Sequence, residues 1–338
     1  MKRFSALGVA VFTGLLVLAP LLAPRPAFGA RAFPLACVPG KTCFILGYPD
    51  LDATPGQARD YTCGPGAEDG DVFLHIGLPD VTSLALKPAV IAVDDGVVKD
   101  ANDGLPDLVA ASKRQLAKGT PVCGNGVVIK HADGSESAYC HLRRGSVTVK
   151  PGQHVRQGDV IGTAGQSGVA LWPQLAFTLR RGGYFIDPMT GATTLEGCGG
   201  RIAPEIEMPA PFDTYQPAAI TALGFANQAM DAQQVALGRA TRFAAIEREE
   251  RRISLWGMIV GLRAGDEVET RIRDPRGRTI FHETYTAAHD TPRVPVDATI
   301  TRGFIGWRSG LYSGEVAVTR TINLKSYTVS RNVSVQVE

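Results

Sequence analysis

Gly126-Val-Val-Ile-Lys-His131, Ala132-Asp-Gly-Ser135 and Glu136-Ser-Ala-Tyr-Cys-His-Leu142 follow one another without a break. Three β-type residues before an Asp-Gly turn, and a polar-apolar run after it, predict a strand, a tight turn and a returning strand. Tyr139 and His141 are two residues apart, so the strand rule places them on one face. Further along comes Val149-Lys-Pro-Gly-Gln-His-Val-Arg-Gln-Gly-Asp-Val-Ile-Gly162. Its Pro-Gly and Gln-Gly-Asp turns between short apolar runs predict a compact hairpin barrel. Biotinyl and lipoyl carriers share such a pattern, but no lysine sits at a matching hairpin tip. Pro173-Gln-Leu-Ala-Phe-Thr-Leu179 predicts another strand, with Gln174 and Ala176 on one face.

Outside that stretch the chain divides by composition. Residues 30–203 hold all six cysteines, many glycines and short β-type runs. Pro204, Pro209, Pro211 and Pro217 punctuate residues 204–217, which read as a linker. A short helix is expected near Asp231 to Leu237. In residues 218–338, Val268, Thr270 and Ile272 alternate with charged neighbours, Asp274-Pro-Arg-Gly277 makes a turn, and Thr279 to Thr286 can return. Val316 and Val318, then Val333, Val335 and Val337, continue the alternation, so about seven strands are expected to form a small β-sandwich. That segment offers no clustered acid-base set, and His282 and His289 are expected at its surface.

The first 29 residues read as a secretory signal peptide. Lys2 and Arg3 precede an apolar run from Ala6 to Ala23, and Pro24-Arg-Pro26 closes it. Ala27 and Gly29 suit cleavage after Gly29, and Ala30 and Ala32 offer a second site. An uncleaved signal would be the one route to a membrane. Export, to a periplasm or beyond, suits disulfide formation among Cys37, Cys43, Cys63, Cys123, Cys140 and Cys198. Six cysteines allow 15 full pairings. None has Cys-x-x-Cys spacing, which weighs against a cysteine-held zinc. Cys140 and His141 are neighbours on a strand, so they are expected on opposite faces and poorly placed as a nucleophile and base.

Net charge is +2 for the full sequence and −1 without Lys2, Arg3 and Arg25, 32 basic against 33 acidic. A chain so balanced gives no electrostatic case for nucleic acid. It also lacks a phosphate-binding P-loop.

Taken together, Cys63-Gly64, Asp69-Gly70, Cys123 to Ile129, His131-Ala-Asp-Gly134, Tyr139-Cys-His-Leu-Arg-Arg-Gly-Ser146, Gly162 to Gly168 and Asp187-Pro188 carry a resemblance. Over roughly Cys63 to Pro188 the chain resembles the LytM/lysostaphin-type zinc endopeptidases of peptidoglycan, in a cysteine-containing proteobacterial branch. The resemblance implies an all-β, antiparallel LytM-type fold, a duplicated hybrid-motif barrel with an open peptide groove, here followed by the small sandwich. It also implies a zinc ion with three protein ligands and one water position. Two ligands would come from a His-x-x-x-Asp pair and the third from the second histidine of a late His-x-His. The first histidine of that late pair and the histidine of the Tyr-x-His-Leu strand would assist the water.

Against that pattern the residue types differ at nearly every position. Aligned on Asp69-Gly70, the first ligand position holds Asp71 and the second holds His75, a transposed pair. The late pair reads Gln174 and Ala176. Alanine cannot bind metal, and glutamine cannot move protons as imidazole does. His141 alone keeps its family identity. His75-x-Gly77-x-x-Asp80 offers another ligand pair, but only after a one-residue slip that would turn one side chain to the other face. Each missing acid-base group typically costs ~10²–10⁴ in rate.

The expectation is therefore a catalytically degenerate homologue with no cofactor: a non-catalytic envelope protein that binds the wall or regulates a hydrolase. Its partners would be peptidoglycan peptide stems or a cell-wall hydrolase. The alternative is an active zinc endopeptidase with Zn²⁺ held by Asp71, His75 and His141. The doublets Arg143-Arg144 and Arg180-Arg181, with Tyr139, are the expected binding residues, since arginine suits bidentate carboxylate recognition. His131 is expected to order its hairpin, and His154 to lie in an exposed turn.

Overall fold

Turn residues and alternating runs produce strands along both halves, and among the described residues helix is confined to the 3-10 turn Val81–Leu86 and the α-helix Ala232–Ala236. A computed structural model describes residues 30–108, 119–200, 203–303 and 306–338. The signal segment 1–29 lies outside the described residues. In chain order the strands of the first half are β1 (Phe44–Gly47), β2 (Leu74–Gly77), β3 (Ala89–Ile91), β4 (Gly96–Asn102), β5 (Asn125–His131), β6 (Glu136–Leu142), β7 (His154–Val155), β8 (Val160–Thr163), β9 (Gln174–Arg181) and β10 (Tyr184–Ile186). Seven of them line up as β1-β2-β9-β6-β5-β4-β7, with β10 folded back on β9, and β3 pairs with β8 apart from this sheet. These ten strands pair antiparallel throughout.

The second half holds β11 (Ala219–Ala226), β12 (Ala245–Ile246), β13 (Arg252–Leu262), β14 (Glu267–Arg273), β15 (Thr279–Thr286), β16 (Thr291–Thr301), β17 (Gly310–Ile322) and β18 (Lys325–Val337). They form two sheets, β11-β13-β16 and β12-β18-β17-β14-β15. Phe225, Leu255, Val316, Val318 and Val335 fill the space between them, as the alternation requires. The strands are longer than short-strand spacing suggests, since β17 and β18 each run 13 residues. The α-helix Ala232–Ala236 is capped by Asp231, whose carboxylate accepts the N–H groups of Gln233 and Gln234.

The first half has its own core, built on Leu74, Ile76, Ile129, Tyr139 and Phe177. Residues 204–217 contribute to it, because Phe212 and Tyr215 are buried there. A third apolar cluster joins the halves. Phe44 of β1 and Trp172 pack against Trp256 and Met258 of β13. The six cysteines pair as Cys37–Cys43, Cys63–Cys198 and Cys123–Cys140.

A buried polar chain crosses the same junction. The Arg320 guanidinium donates to both carboxylate oxygens of Asp266, at 2.7 Å each, and to the Tyr215 hydroxyl at 2.9 Å. Tyr215 in turn donates to Asp60 at 2.7 Å. Asp60 is fully buried, and accepts the backbone N–H groups of Thr62, Gly64 and Gly66. Each buried charge thus meets an opposite charge or several donors, the condition under which burial is tolerated. Because the partners come from both halves, the two are held in one fixed arrangement.

Candidate functional site

Between the halves lies a cavity of about 560 Å³. One side is built by the loop 66–73, His75 of β2, the Cys123–Cys140 disulfide, His141 and Gln174. Sheet geometry explains this grouping. His75 stands directly opposite Ala176 of β9, and Ala176 stands opposite Cys140 of β6. Paired residues in an antiparallel sheet share a face, so all three point the same way, while Leu74, Ile76, Leu175 and Phe177 enter the core.

His75 and Asp71 meet. The ring Nε2 of His75 donates to Asp71 Oδ2 at 2.8 Å. Asp71 lies in the loop before β2, so reach across the loop joins them rather than a shared strand face. Burial pulls the His75 pKa down, but the charge and hydrogen bond of Asp71, the charge of Glu68 and a hydrogen bond with Gln174 carry it above its ordinary value.

His141 behaves in the opposite sense. Its Nδ1 donates to the Ser167 carbonyl at 2.8 Å. Burial first, and then the neighbouring His75, push its pKa down to about 4. The ring is therefore neutral at neutral pH, with its proton on Nδ1 and a lone pair on Nε2.

His141 also corrects two sequence expectations. Its φ is +65°, in the left-handed region. There the β5–β6 register shifts, and the strand alternation breaks. Cys140 and His141 consequently line one cavity instead of opposite faces. Tyr139 and His141 do not share a face. Tyr139 is fully buried in the core, and its hydroxyl accepts the Val93 N–H at 2.9 Å, so it is not a groove residue. Cys140 is no nucleophile for a different reason from the one expected: its sulfur is bonded to Cys123.

The remaining sequence candidates separate. Gln174 lines the cavity, and Ala176 is fully buried beside it in the sheet. Neither arginine doublet lines the cavity. Arg143 donates to the Leu84 carbonyl at 2.5 Å, Arg144 is exposed, Arg180 lies over the Phe185 ring, and Arg181 bridges Asp133 and Glu205. Asp80 is committed elsewhere, since its carboxylate caps the 3-10 turn Val81–Leu86. His131 is buried in its hairpin, bonded to the Asp95 carbonyl and the Ser137 hydroxyl at 2.8 Å each, and His154 is exposed.

The other wall of the cavity comes from the second half: the end of β13 with Arg263, and Asp290, Thr291 and Pro292 at the start of β16. Arg263 donates to Asp290 at 2.9 Å and to the Ala67 carbonyl at 3.1 Å, across 196 residues of sequence. No local pattern announces such residues, because they reach the site only when the two halves pack.

Residues 82–188 match the model of peptidase family M23. Over that stretch the chain is similar to peptidase family M23. The match includes His141, Gln174 and Ala176 and begins after Asp71 and His75. This is the family of the LytM/lysostaphin-type endopeptidases that the sequence resembles. The chain is 42% identical over 89 residues to the cell division protein DipM of Caulobacter vibrioides, covering 26% of this chain and 14% of that protein. It is 38% identical over 69 residues to the DD-carboxypeptidase/endopeptidase Mpg of Neisseria meningitidis serogroup B, covering 20% of this chain and 15% of that protein. The chain thus spans about one seventh of the length of these curated relatives. Among solved structures, the lysostaphin catalytic domain from Staphylococcus simulans aligns at 20% identity and TM-score 0.27, over 42% of this chain and 86% of that one. The SpoIIQ–SpoIIIAH pore-forming complex aligns at 19% identity and TM-score 0.33, over 49% of this chain and 92% of that chain.

The M23 family is zinc-dependent, but the donor set in this groove does not fit a zinc ion. Asp71 and His75 spend their facing atoms on each other, Ala176 has no donor atom, and Gln174 offers only an amide. Among the described residues no three His, Cys, Asp or Glu side chains are grouped to hold a metal. What the groove does offer is a neutral imidazole acceptor, an ion pair, carboxylates and apolar surface, a set suited to holding a ligand.

Proposed function

We propose that this chain is a catalytically degenerate M23 homologue that works in the cell envelope by binding, as a wall-binding protein or a regulator of a cell-wall hydrolase. The observation that carries this reading is the pairing of Asp71 with His75 next to Gln174 and Ala176. The two late histidine positions hold no imidazole, and the early pair is turned inward on itself. The names of the relatives, a cell division protein and a carboxypeptidase/endopeptidase, support a wall context. Three disulfides and no free cysteine among the described residues support an oxidising compartment, periplasmic or extracellular. Its partners are then peptide stems of peptidoglycan or the hydrolase itself.

The test combines zinc stoichiometry with incubation on purified sacculi. The mature protein is expected to retain no zinc after dialysis, to release no muropeptides, and to co-sediment with sacculi or stimulate a hydrolase. Metal-dependent release that disappears in both Asp71→Ala and His75→Ala would overturn the proposal in favour of an active site of Asp71, His75 and His141.

A further inference from the structure

The groove has two unlike walls, and their chemistry is not that of an anion site. Four carboxylates line it, Glu68, Asp69, Asp71 and Asp290. Arg263 is its one arginine, and that guanidinium is already joined to Asp290. With His75 protonated the lining carries a net charge of −2; with His75 neutral, −3. The arginine doublets that would attract carboxylates lie outside the lining. Beside the acidic loop, Phe73, Val122 and Leu171 give an apolar surface, and Val122 is 67% exposed; Trp172 in the same lining is buried, with the Arg293 guanidinium over its ring at 6.0 Å.

A second feature points to an occupant. His141 is 4% exposed and lines the cavity. Its Nδ1 edge is fixed by the Ser167 carbonyl, and its Nε2 has no hydrogen-bond partner among the described residues. With its proton on Nδ1, the ring presents Nε2 as an acceptor for a donor N–H or O–H of a ligand.

We infer that this cavity is a composite site, shared by both halves, for an extended protein segment that inserts a lysine or arginine side chain. The inference rests on reading the groove as a binding site, and it names the partner chemistry. An apolar stem packs on Phe73 and Val122 while its cationic head meets the carboxylates of the 68–71 loop. The segment's own N–H groups reach His141 Nε2. The sandwich takes part directly, because Arg263, Asp290, Thr291 and Pro292 belong to the lining. The Arg320–Asp266–Tyr215–Asp60 chain holds that wall in place, so the groove is set before the ligand arrives.

An array of nine-residue peptides, in matched sets with Lys or Arg, Gln, or Glu at the centre, probes the mature protein. The cationic sets are expected to bind about tenfold or more tightly than the Glu sets at low salt, and to weaken as salt rises. Glu68→Gln and Asp69→Asn, near-isosteric and at exposed positions, are each expected to weaken cationic binding several-fold. Thr291→Trp is expected to obstruct the groove and weaken binding; circular dichroism and thermal melting confirm that each variant is folded. Equal or stronger binding of the Glu sets, absence of binding by all sets, or full binding by folded Thr291→Trp would overturn the inference. The two readings fail separately. Sacculus binding without cationic-peptide binding removes only this one, and metal-dependent muropeptide release removes only the non-catalytic reading.

Discussion

His75 donates to Asp71 across 2.8 Å, so the two residues expected from sequence as a transposed ligand pair bond to each other. His75 stands opposite Ala176, where the family resemblance implies an imidazole. Restoring a metal site therefore needs coordinated change. Gln174→His with Ala176→His supplies imidazoles but leaves the early pair transposed. It also crowds His75, because cross-strand Cβ atoms stand only ~4.5–5.5 Å apart. Adding Asp71→His and His75→Asp removes the crowding and restores the ligand order. The fourfold variant is expected to bind one zinc per chain by elemental analysis, and to hydrolyse sacculi at least ~10²-fold faster than the unaltered protein. Zinc binding by the double variant alone would show that the early pair is no obstacle.

His141 gives a pH signature. Its folded pKa of about 4 lies below its ordinary 6.5, so the unfolded chain takes up the proton first. Stability is full above pH 6.5 and falls as the pH drops toward 4. The loss from this one ring amounts to up to ~3 kcal/mol. His141→Asn keeps a residue type that tolerates the left-handed backbone and can still donate to Ser167. Urea unfolding across that range is expected to show a shallower acid loss in the variant. Parallel pH curves for the two proteins would assign the acid sensitivity elsewhere.

The disulfides differ in loop length. Cys63–Cys198 spans 135 residues, and Cys37–Cys43 spans six. Chain entropy gives the long loop about 5 kcal/mol and the short one about 2 kcal/mol. Replacing both cysteines of the long bridge with alanine is expected to lower the urea midpoint roughly twice as far as the same change in the short one. Equal losses would mean that loop closure is not the controlling factor.

The buried Arg320–Asp266 pair is 3% and 0% exposed. Arg320→Leu leaves the Asp266 carboxylate without its guanidinium, at a cost of about 3–5 kcal/mol. Arg320→Leu with Asp266→Leu removes both charges and is expected to recover most of that loss. Tyr215→Phe breaks the chain at its middle and costs about 1–2 kcal/mol. Each is read by equilibrium unfolding. A double variant as unstable as Arg320→Leu would place the cost in packing rather than in the unpaired charge.

Much of the strand pattern is legible in short windows. The Asp-Gly turn at 133–134 and the turn at 274–277 separate β5 from β6 and β14 from β15, as their flanking residues predict. The window fails at His141. Strand alternation assumes extended φ throughout, and one left-handed residue there resets which neighbours share a face. Tyr139 was assigned to the groove for that reason, and it belongs to the core.

By itself the sequence determined which atoms the site can contain. Gln174 and Ala176 bring no imidazole to the groove wherever they are placed, and six cysteines fix the material for three bridges. Tertiary structure decided which of the possible bridges form, that Asp71 and His75 close on each other, and that Arg263, Asp290 and Thr291 make the second wall. Residue chemistry is a property of each position. Contact between Arg263 and Ala67 is a property of the packed chain, fixed only when buried apolar and ionic groups from both halves meet.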